Sequence, residues 1–149
     1  MSSLQFKIIS YHSSEYQEAL SLRFEILRKP LGLTFDLNDL KKEKNFIHIA
    51  GKQNNNIVAT AILVPENKRV KMKQVAVANH CQGQGIGSKL LEFIHHIAIQ
   101  NNFTHIYCHA RKTAVNFYLQ HGYEIYEEPF IEVGIEHVKM KRKLMKDFT

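Results

Sequence analysis

Three glycines at alternate positions, Gly83, Gly85 and Gly87, separate the apolar run Val75-Ala76-Val77-Ala78 from Leu90, Leu91, Ile94, Ile97 and Ala98, which recur at helical spacing. Glycine reaches positive φ without steric cost, and a helix start carries N–H groups with no partner in the helix. The stretch from Gln74 to Leu91 therefore has the build of a phosphate cradle: strand, glycine turn, helix N-terminus. A glycine-rich turn with no ligand is the competing reading, because short glycine patterns recur widely. Spacing disfavours two nucleotide motifs. A Walker loop ends in Gly-Lys-Ser/Thr, whereas here the order is Gly87-Ser88-Lys89, and a dinucleotide fingerprint needs G-x-G-x-x-G in an early βαβ unit.

Histidines are the other candidates for chemistry. His109 and His137 could serve as general bases because imidazole titrates near neutral pH, although a structural or surface role is the simpler reading for each. His105 and His109 share a strand face and His95-His96 are adjacent, but no Cys or carboxylate completes a metal set around them. Cys81 and Cys108 lack any CxxC spacing, so free thiols are expected.

The elements that must position these groups follow from periodicity. Residues 6–9 read as a strand, and Ser13 or Ser14 caps a helix whose apolar face is Tyr16, Ala19, Leu20, Phe24 and Leu27, stopped by Pro30 and Gly32. Residues 36–44 read as a polar helix anchored by Leu37 and Leu40. Three strands follow at 46–50, 57–64 and 70–77, the first two joined by the turn-prone Gln53-Asn54-Asn55-Asn56. After the glycine turn comes a helix ended by Asn101 and Asn102, then a strand at 104–109, a helix at 114–121 stopped by Gly122, and strands at 123–126 and about 133–144. This order implies one α/β domain over residues 1–149, with a mixed sheet flanked by helices.

Two stretches resemble the GNAT family of N-acetyltransferases. Gln82, Gly85 and Gly87 match its coenzyme signature Q/R-x-x-G-x-G/A, and Ala114-Val115-Asn116-Phe117-Tyr118-Leu119-Gln120-His121-Gly122-Tyr123 matches A-x-x-F-Y-x-x-x-G-F/Y downstream. Two motifs in the right order are more specific than either alone. The resemblance implies a centrally splayed sheet of about seven strands with about four helices. Acetyl-CoA would sit where the fourth and fifth strands part, with the acceptor entering from the other side. It implies that backbone groups of Val75, Ala76 and Val77 meet pantetheine and the thioester, and that Gln82, Gly83, Gln84, Gly85, Ile86, Gly87 and Ser88 hold the pyrophosphate. It also implies Asn116 on the cofactor side and Tyr118 as the acid that protonates the departing thiolate, with no metal required. Many relatives carry an acidic base on the fourth strand, but Val70-Lys71-Met72-Lys73-Gln74-Val75 has none. A further likeness, in Leu22-Arg23 with Pro30-Leu31-Gly32 and in Gly134-Ile135 with His137 and Met140, points to a branch whose acceptors are unassigned.

Composition bounds the partners. A hydrophobic fraction of 44% with 23% charged residues is ordinary for a folded domain, and no apolar run nears the roughly 20 residues of a membrane span. The N-terminus lacks the pattern of a secretory signal, so a cytoplasmic protein is expected. The net charge of +6 is uneven. Five glutamates (Glu124, Glu127, Glu128, Glu132, Glu136) and no Lys or Arg lie between Gly122 and Val138, followed by Lys139, Lys141, Arg142, Lys143 and Lys146. The lysines alternate with Val138, Met140 and Leu144 as on an edge strand with one wet face, and no aromatic-basic pattern supports nucleic-acid binding. The resemblance would place these glutamates around the last two strands, which border the acceptor mouth in the family, and so favours a small cationic amine, with a solvated acidic face as the equal alternative; Arg23, Arg28 and Lys29 could instead select a carboxylate or phosphate on the acceptor. A homodimer is compatible with the sequence. A non-catalytic coenzyme A sensor and a basic nucleic-acid-binding module are the rival functions.

Overall fold

The computed structural model describes residues 3–144; Lys146 of the basic tail lies outside them. Among these residues the strands are β1 (Leu4–Ile9), β2 (Ile47–Gln53), β3 (Asn56–Glu66), β4 (Arg69–Val77), β5 (His105–Arg111), β6 (Glu124–Glu132) and β7 (Ile135–Lys143). The helices are α1 (Ser14–Arg23), α2 (Leu37–Lys42), α3 (Ile86–Gln100) and α4 (Val115–Gln120). The strands form one mixed seven-stranded sheet in the order β1-β2-β3-β4-β5-β7-β6, antiparallel except for the parallel β4–β5 pair where registers are defined. Its backbone clusters into two compact units: residues 3–64 with Gln74–Ile94, and Pro65–Lys73 with residues 95–144.

In the first unit Ser13 caps α1, its hydroxyl accepting the Tyr16 N–H at 3.1 Å. α1 runs on through a π-helical turn (Phe24–Arg28) and a 3₁₀ turn (Lys29–Leu31) to Gly32 at φ +68, where Leu33 N–H reaches back to the Arg28 carbonyl at 2.9 Å. That left-handed glycine closes a Schellman-type stop. Asp36 caps α2 through the Asn38 N–H. Leu37 is exposed, so it does not anchor α2 as its apolar character suggests; the Tyr11 hydroxyl donating to the Leu40 carbonyl at 2.8 Å does. Asn54 and Asn55, both at positive φ, make the tight turn between β2 and β3, a conformation asparagine tolerates better than most residues. Ile9, Tyr16, Ala19, Ala50 and Ile57 form a buried cluster here.

The polar centre of this unit is a buried ion pair. Arg23 is 1% exposed and donates twice to the Glu43 carboxylate, at 2.8 and 2.7 Å, while the Tyr16 hydroxyl donates to the same carboxylate at 2.9 Å. Burial pushes the Glu43 carboxyl up, but the Arg23 hydrogen bonds and charge outweigh it and hold the group below its usual 4.5. Arg23 is thereby spent on α1 and the segment after α2, rather than being available to an acceptor. Lys29 pairs with Glu25 on the surface, and Arg28 reaches the Gln74 carboxamide at 3.5 Å.

In the second unit β5 alternates buried Ile106, Cys108 and Ala110 with half-buried Tyr107, His109 and Arg111, and β7 buries Val138 and Met140 in the same rhythm. Each fully buried Ile or Met of this set contributes about 1.5–3 kcal/mol. The wet-face alternation of β7 is as read from sequence, but β7 lies between β5 and β6, so its lysines do not protect an edge. β6 ends the sheet instead.

Candidate active site

The turn after β4 is built entirely within the first unit. Gln74, inside β4, has φ +56, an uncommon conformation for a residue with a Cβ. After Ala78, whose N–H bonds the Val58 carbonyl at 2.8 Å, a 3₁₀ turn (Asn79–Cys81) leads into the glycines. The Gln82 carboxamide donates to the Val77 carbonyl at 3.0 Å and to the Asn79 side chain at 3.2 Å, and the Gln84 carboxamide donates to the His80 carbonyl at 3.2 Å. These side chains brace the turn from within, which leaves its outer surface to the backbone.

Gly83 and Gly85 stand at φ +83 and +78, and a Cβ added to either would meet nothing within 4 Å. Their requirement is therefore conformational, and the space above them is open. Gly87 differs from the sequence expectation: it is the second residue of α3 and is already helical. The Gly85 carbonyl accepts the Lys89 N–H at 3.2 Å, the opening bond of α3, so the N–H groups of Ile86, Gly87 and Ser88 have no carbonyl ahead of them in the helix. Left-handed glycines followed by unpaired amides make an anion-binding concavity, which fits a pyrophosphate.

The second motif lies in the second unit, and its spacing has a structural cause. Helix α4 ends in a Schellman motif: Gly122 at φ +84 donates to the Leu119 carbonyl at 3.3 Å, and Tyr123 N–H to the Tyr118 carbonyl at 3.1 Å. The motif brings Tyr118 and Tyr123 together, with ring centroids 5.2 Å apart. Tyr123 is fixed in turn by His95, whose Nε2 hydrogen-bonds its hydroxyl at 2.7 Å, while Arg142 donates to His95 Nδ1 and to the His121 carbonyl, both at 3.0 Å. Burial first, then the Arg142 charge, pulls the His95 pKa down to about 4, so it is a neutral ring with its proton on Nε2. Tyr118 is 6% exposed, and its hydroxyl bonds the Cys108 thiol. Burial, reinforced by Cys108, raises the Tyr118 pKa far above that of a free phenol and also lifts the thiol to about 12. Tyr118 is a protonated donor throughout the physiological range. Asn116 is exposed at the second position of α4.

Side chains on the opposite face of β5 form a further cluster. His109 Nδ1 bonds the Glu132 carboxylate at 3.0 Å, and Tyr107 donates to Glu66 at 2.6 Å. An open pocket of about 650 Å³ is lined by His109, Glu127, Glu128, Phe130 and Lys139. His137 is buried, its Nδ1 donating to the Ile135 carbonyl at 3.0 Å and its ring centre 5.9 Å from that of Phe130. Among the described residues no group of three or more His, Cys, Asp or Glu could hold a metal ion, and no helix is long and apolar enough to cross a membrane.

A family model, the acetyltransferase (GNAT) domain, matches residues 36–144. The chain belongs to the GNAT acetyltransferase family. As a GNAT protein it is an acyltransferase, on a fold that uses acetyl-CoA. It is 21% identical to an uncharacterised N-acetyltransferase of Bacillus subtilis, YjcF, over 91% of this chain and 97% of that protein. A candidate N-acetyltransferase from Lactobacillus plantarum superposes with a TM-score of 0.84 at 25% identity, covering 97% and 99% of the two chains. A GNAT acetyltransferase of Elizabethkingia anophelis, solved with acetyl-CoA bound, has the same fold: TM-score 0.74, 21% identity, 95% and 98% covered.

The sequence missed the scaffold of Tyr118. Cys108, His95, Tyr123 and Arg142 are distant along the chain, and only the Gly122-Tyr123 pair signalled the helix stop that joins part of it.

Proposed function

We propose that this GNAT protein is a single acetyltransferase domain, cytoplasmic, that moves an acetyl group from acetyl-CoA to the amine of a small acceptor by direct attack. The observation that carries this reading is the turn itself: two left-handed glycines under open space, followed by three helix N–H groups with no partner in the helix. Acetyl-CoA supplies the acetyl group as an activated thioester. In the chain, the amides of residues 83–88 donate to the pyrophosphate, while the Gln82 N–H is held by the Asn79 carbonyl and braces the turn; backbone groups of Val75, Ala76 and Val77 bond pantetheine as an added strand would and stabilise charge on the acyl oxygen. Asn116 is assigned to the cofactor side by resemblance to the family motif. Tyr118 donates a hydrogen bond to the departing sulfur and gives it the proton as the carbon–sulfur bond breaks; burial keeps the hydroxyl protonated until then and holds the transfer uphill, and the proton that nitrogen loses restores the tyrosine. The buried, unpaired Cys81 and Cys108 suit a reducing compartment.

Thiol release from acetyl-CoA across an amine panel, with calorimetry of acetyl-CoA, tests this. Coenzyme binding with turnover supports the proposal. Binding with no turnover on any amine would make the protein a coenzyme A sensor.

A further inference from the structure

Tyr118 leaves the other half of the chemistry unassigned, because the amine that attacks must first lose a proton. We propose that the pocket formed by β5, β6 and β7 seats the acceptor, that it takes a small primary ammonium bearing a flat apolar group, and that His109, held by Glu132, removes the proton. This rests on the acetyl-transfer reading.

The charge of the pocket selects the class. Its one lining cation, Lys139, is bound to Glu127 at 3.0 Å and lies 5.8 Å from the Phe130 ring centre. Glu128 makes no ion pair among the described residues, so with Glu132 bonded to His109 three carboxylates (Glu127, Glu128, Glu132) stand against two lysines, Lys139 and Lys71. An ammonium group is favoured there, and the Phe130 face offers an apolar or cation–π wall. The edge strand is bent to make that wall. Glu127 has φ +64, Pro129 follows, and the β6–β7 register shifts between Tyr126 and Phe130. A bulge beside a site is a common way to aim side chains, and a non-glycine residue at positive φ carries strain that the surrounding structure must hold.

The geometry also suits His109 as a base. Its Nδ1–H is committed to Glu132, which fixes the tautomer and leaves the Nε2 lone pair to accept a proton. The groups facing it are Glu132 from β6, Lys139 from β7, Lys71 from β4, and the Tyr107 ring on its own strand, whose hydroxyl is turned to Glu66. Burial leads in pushing its pKa below the ordinary 6.5, against the pull of Glu132, so the ring is neutral at pH 7. Cys108 and His109 are consecutive, so their side chains leave β5 on opposite faces. Tyr118 meets the strand on the Cys108 face and the pocket opens on the other, which separates the proton donor from the proton acceptor. The balance closes. The ammonium gives one proton to His109 Nε2 and hence to solvent, nitrogen bonds the acyl carbon as the carbon–sulfur bond breaks, and the second proton lost by nitrogen replaces the one Tyr118 places on sulfur.

Phenethylamine is the probe. Phenethylammonium should shift the NMR signals of His109 and Phe130 in the intact protein, and the parent should acetylate the amine. His109→Gln should lower kcat/KM about 10²–10⁴-fold at neutral pH, with the deficit shrinking as pH rises through the amine's own pKa, while acetyl-CoA still binds by calorimetry. Phe130→Ala should raise KM with little change in kcat. A loss in His109→Gln that is equal at every pH, or no loss at all, overturns the base assignment. An absence of shifts or turnover with phenethylamine, in parent protein that binds acetyl-CoA, overturns the acceptor class. Failure of acetyl-CoA itself to bind would instead sink the acetyl-transfer reading beneath it.

Discussion

Tyr118→Phe removes one hydroxyl and keeps the ring. In the fold this costs the hydrogen bond to Cys108, worth about 0.5–1.5 kcal/mol, and leaves a thiol that is only a weak donor unpaired. The Schellman bonds at Leu119 and Tyr118 are backbone bonds and the ring contact with Tyr123 is apolar, so the variant should stay folded. For the reaction, loss of a general acid typically costs about 10²–10⁴-fold. At 1.36 kcal/mol per tenfold that is about 2.7–5.4 kcal/mol of barrier, well above the stability change. Rapid-quench single turnover, with enzyme in excess over acetyl-CoA and the amine saturating, isolates the acyl-transfer step from product release, and calorimetry on separate samples follows coenzyme affinity. The single-turnover rate should fall by about two orders of magnitude or more with affinity nearly constant. A variant that transfers acetyl as fast as the parent would show that Tyr118 is a packing residue of the α4 stop.

Glu43→Gln should destabilise the protein by about 3–5 kcal/mol in urea unfolding, because it strands the buried Arg23 guanidinium. Several groups make the parent acid-sensitive, chief among them His95, pulled down to about 4 by burial and Arg142, His48, whose pKa burial lowers from 6.5, and Glu43, held below 4.5. Stability from each is full above the unfolded value and is lost as pH falls through the folded one, so urea midpoints should drop from about pH 6.5 downward, and Glu43→Gln should flatten the more acidic part. Gly51→Ala places a Cβ 2.7 Å from Cε1 of Phe6, which is stacked on Phe93, and should cost about 1–3 kcal/mol in thermal or urea unfolding. Glu128→Lys should raise the KM for phenethylamine at low ionic strength, with the difference fading as salt is added; a KM unchanged at low salt would mark Glu128 as solvated surface.

Local signals made most of the fold legible. Asn54-Asn55, Asn102 and Gly122 each sit at positive φ where a turn or helix stop was expected, because only a few residue types tolerate that conformation. The glycine turn was legible as backbone permissiveness, whereas Tyr118 stood out only through the resemblance to the family motif, its residues alone reading as a core tyrosine beside Phe117. What the sequence hid was long-range. Arg23 and Glu43 are twenty residues apart, and Arg23 read as a cation that could select an anionic acceptor, whereas the fold buries it against Glu43. β7 read as an edge because alternation reports one wet face and not the neighbours on either side. His109 and Glu132 meet through β5, β7 and β6 packing in that order, which no local pattern encodes.

If the coenzyme's pyrophosphate rests on the turn after β4, Gly85→Glu should remove its seat. The residue stands at φ +78 on an exposed turn, so a side chain there strains the backbone and places a carboxylate where the phosphate charge would sit. Circular dichroism and the urea midpoint establish that the variant is folded. Calorimetry should then show acetyl-CoA binding in the parent and none in Gly85→Glu, whereas undiminished affinity in the folded variant would place the coenzyme elsewhere and contradict the account.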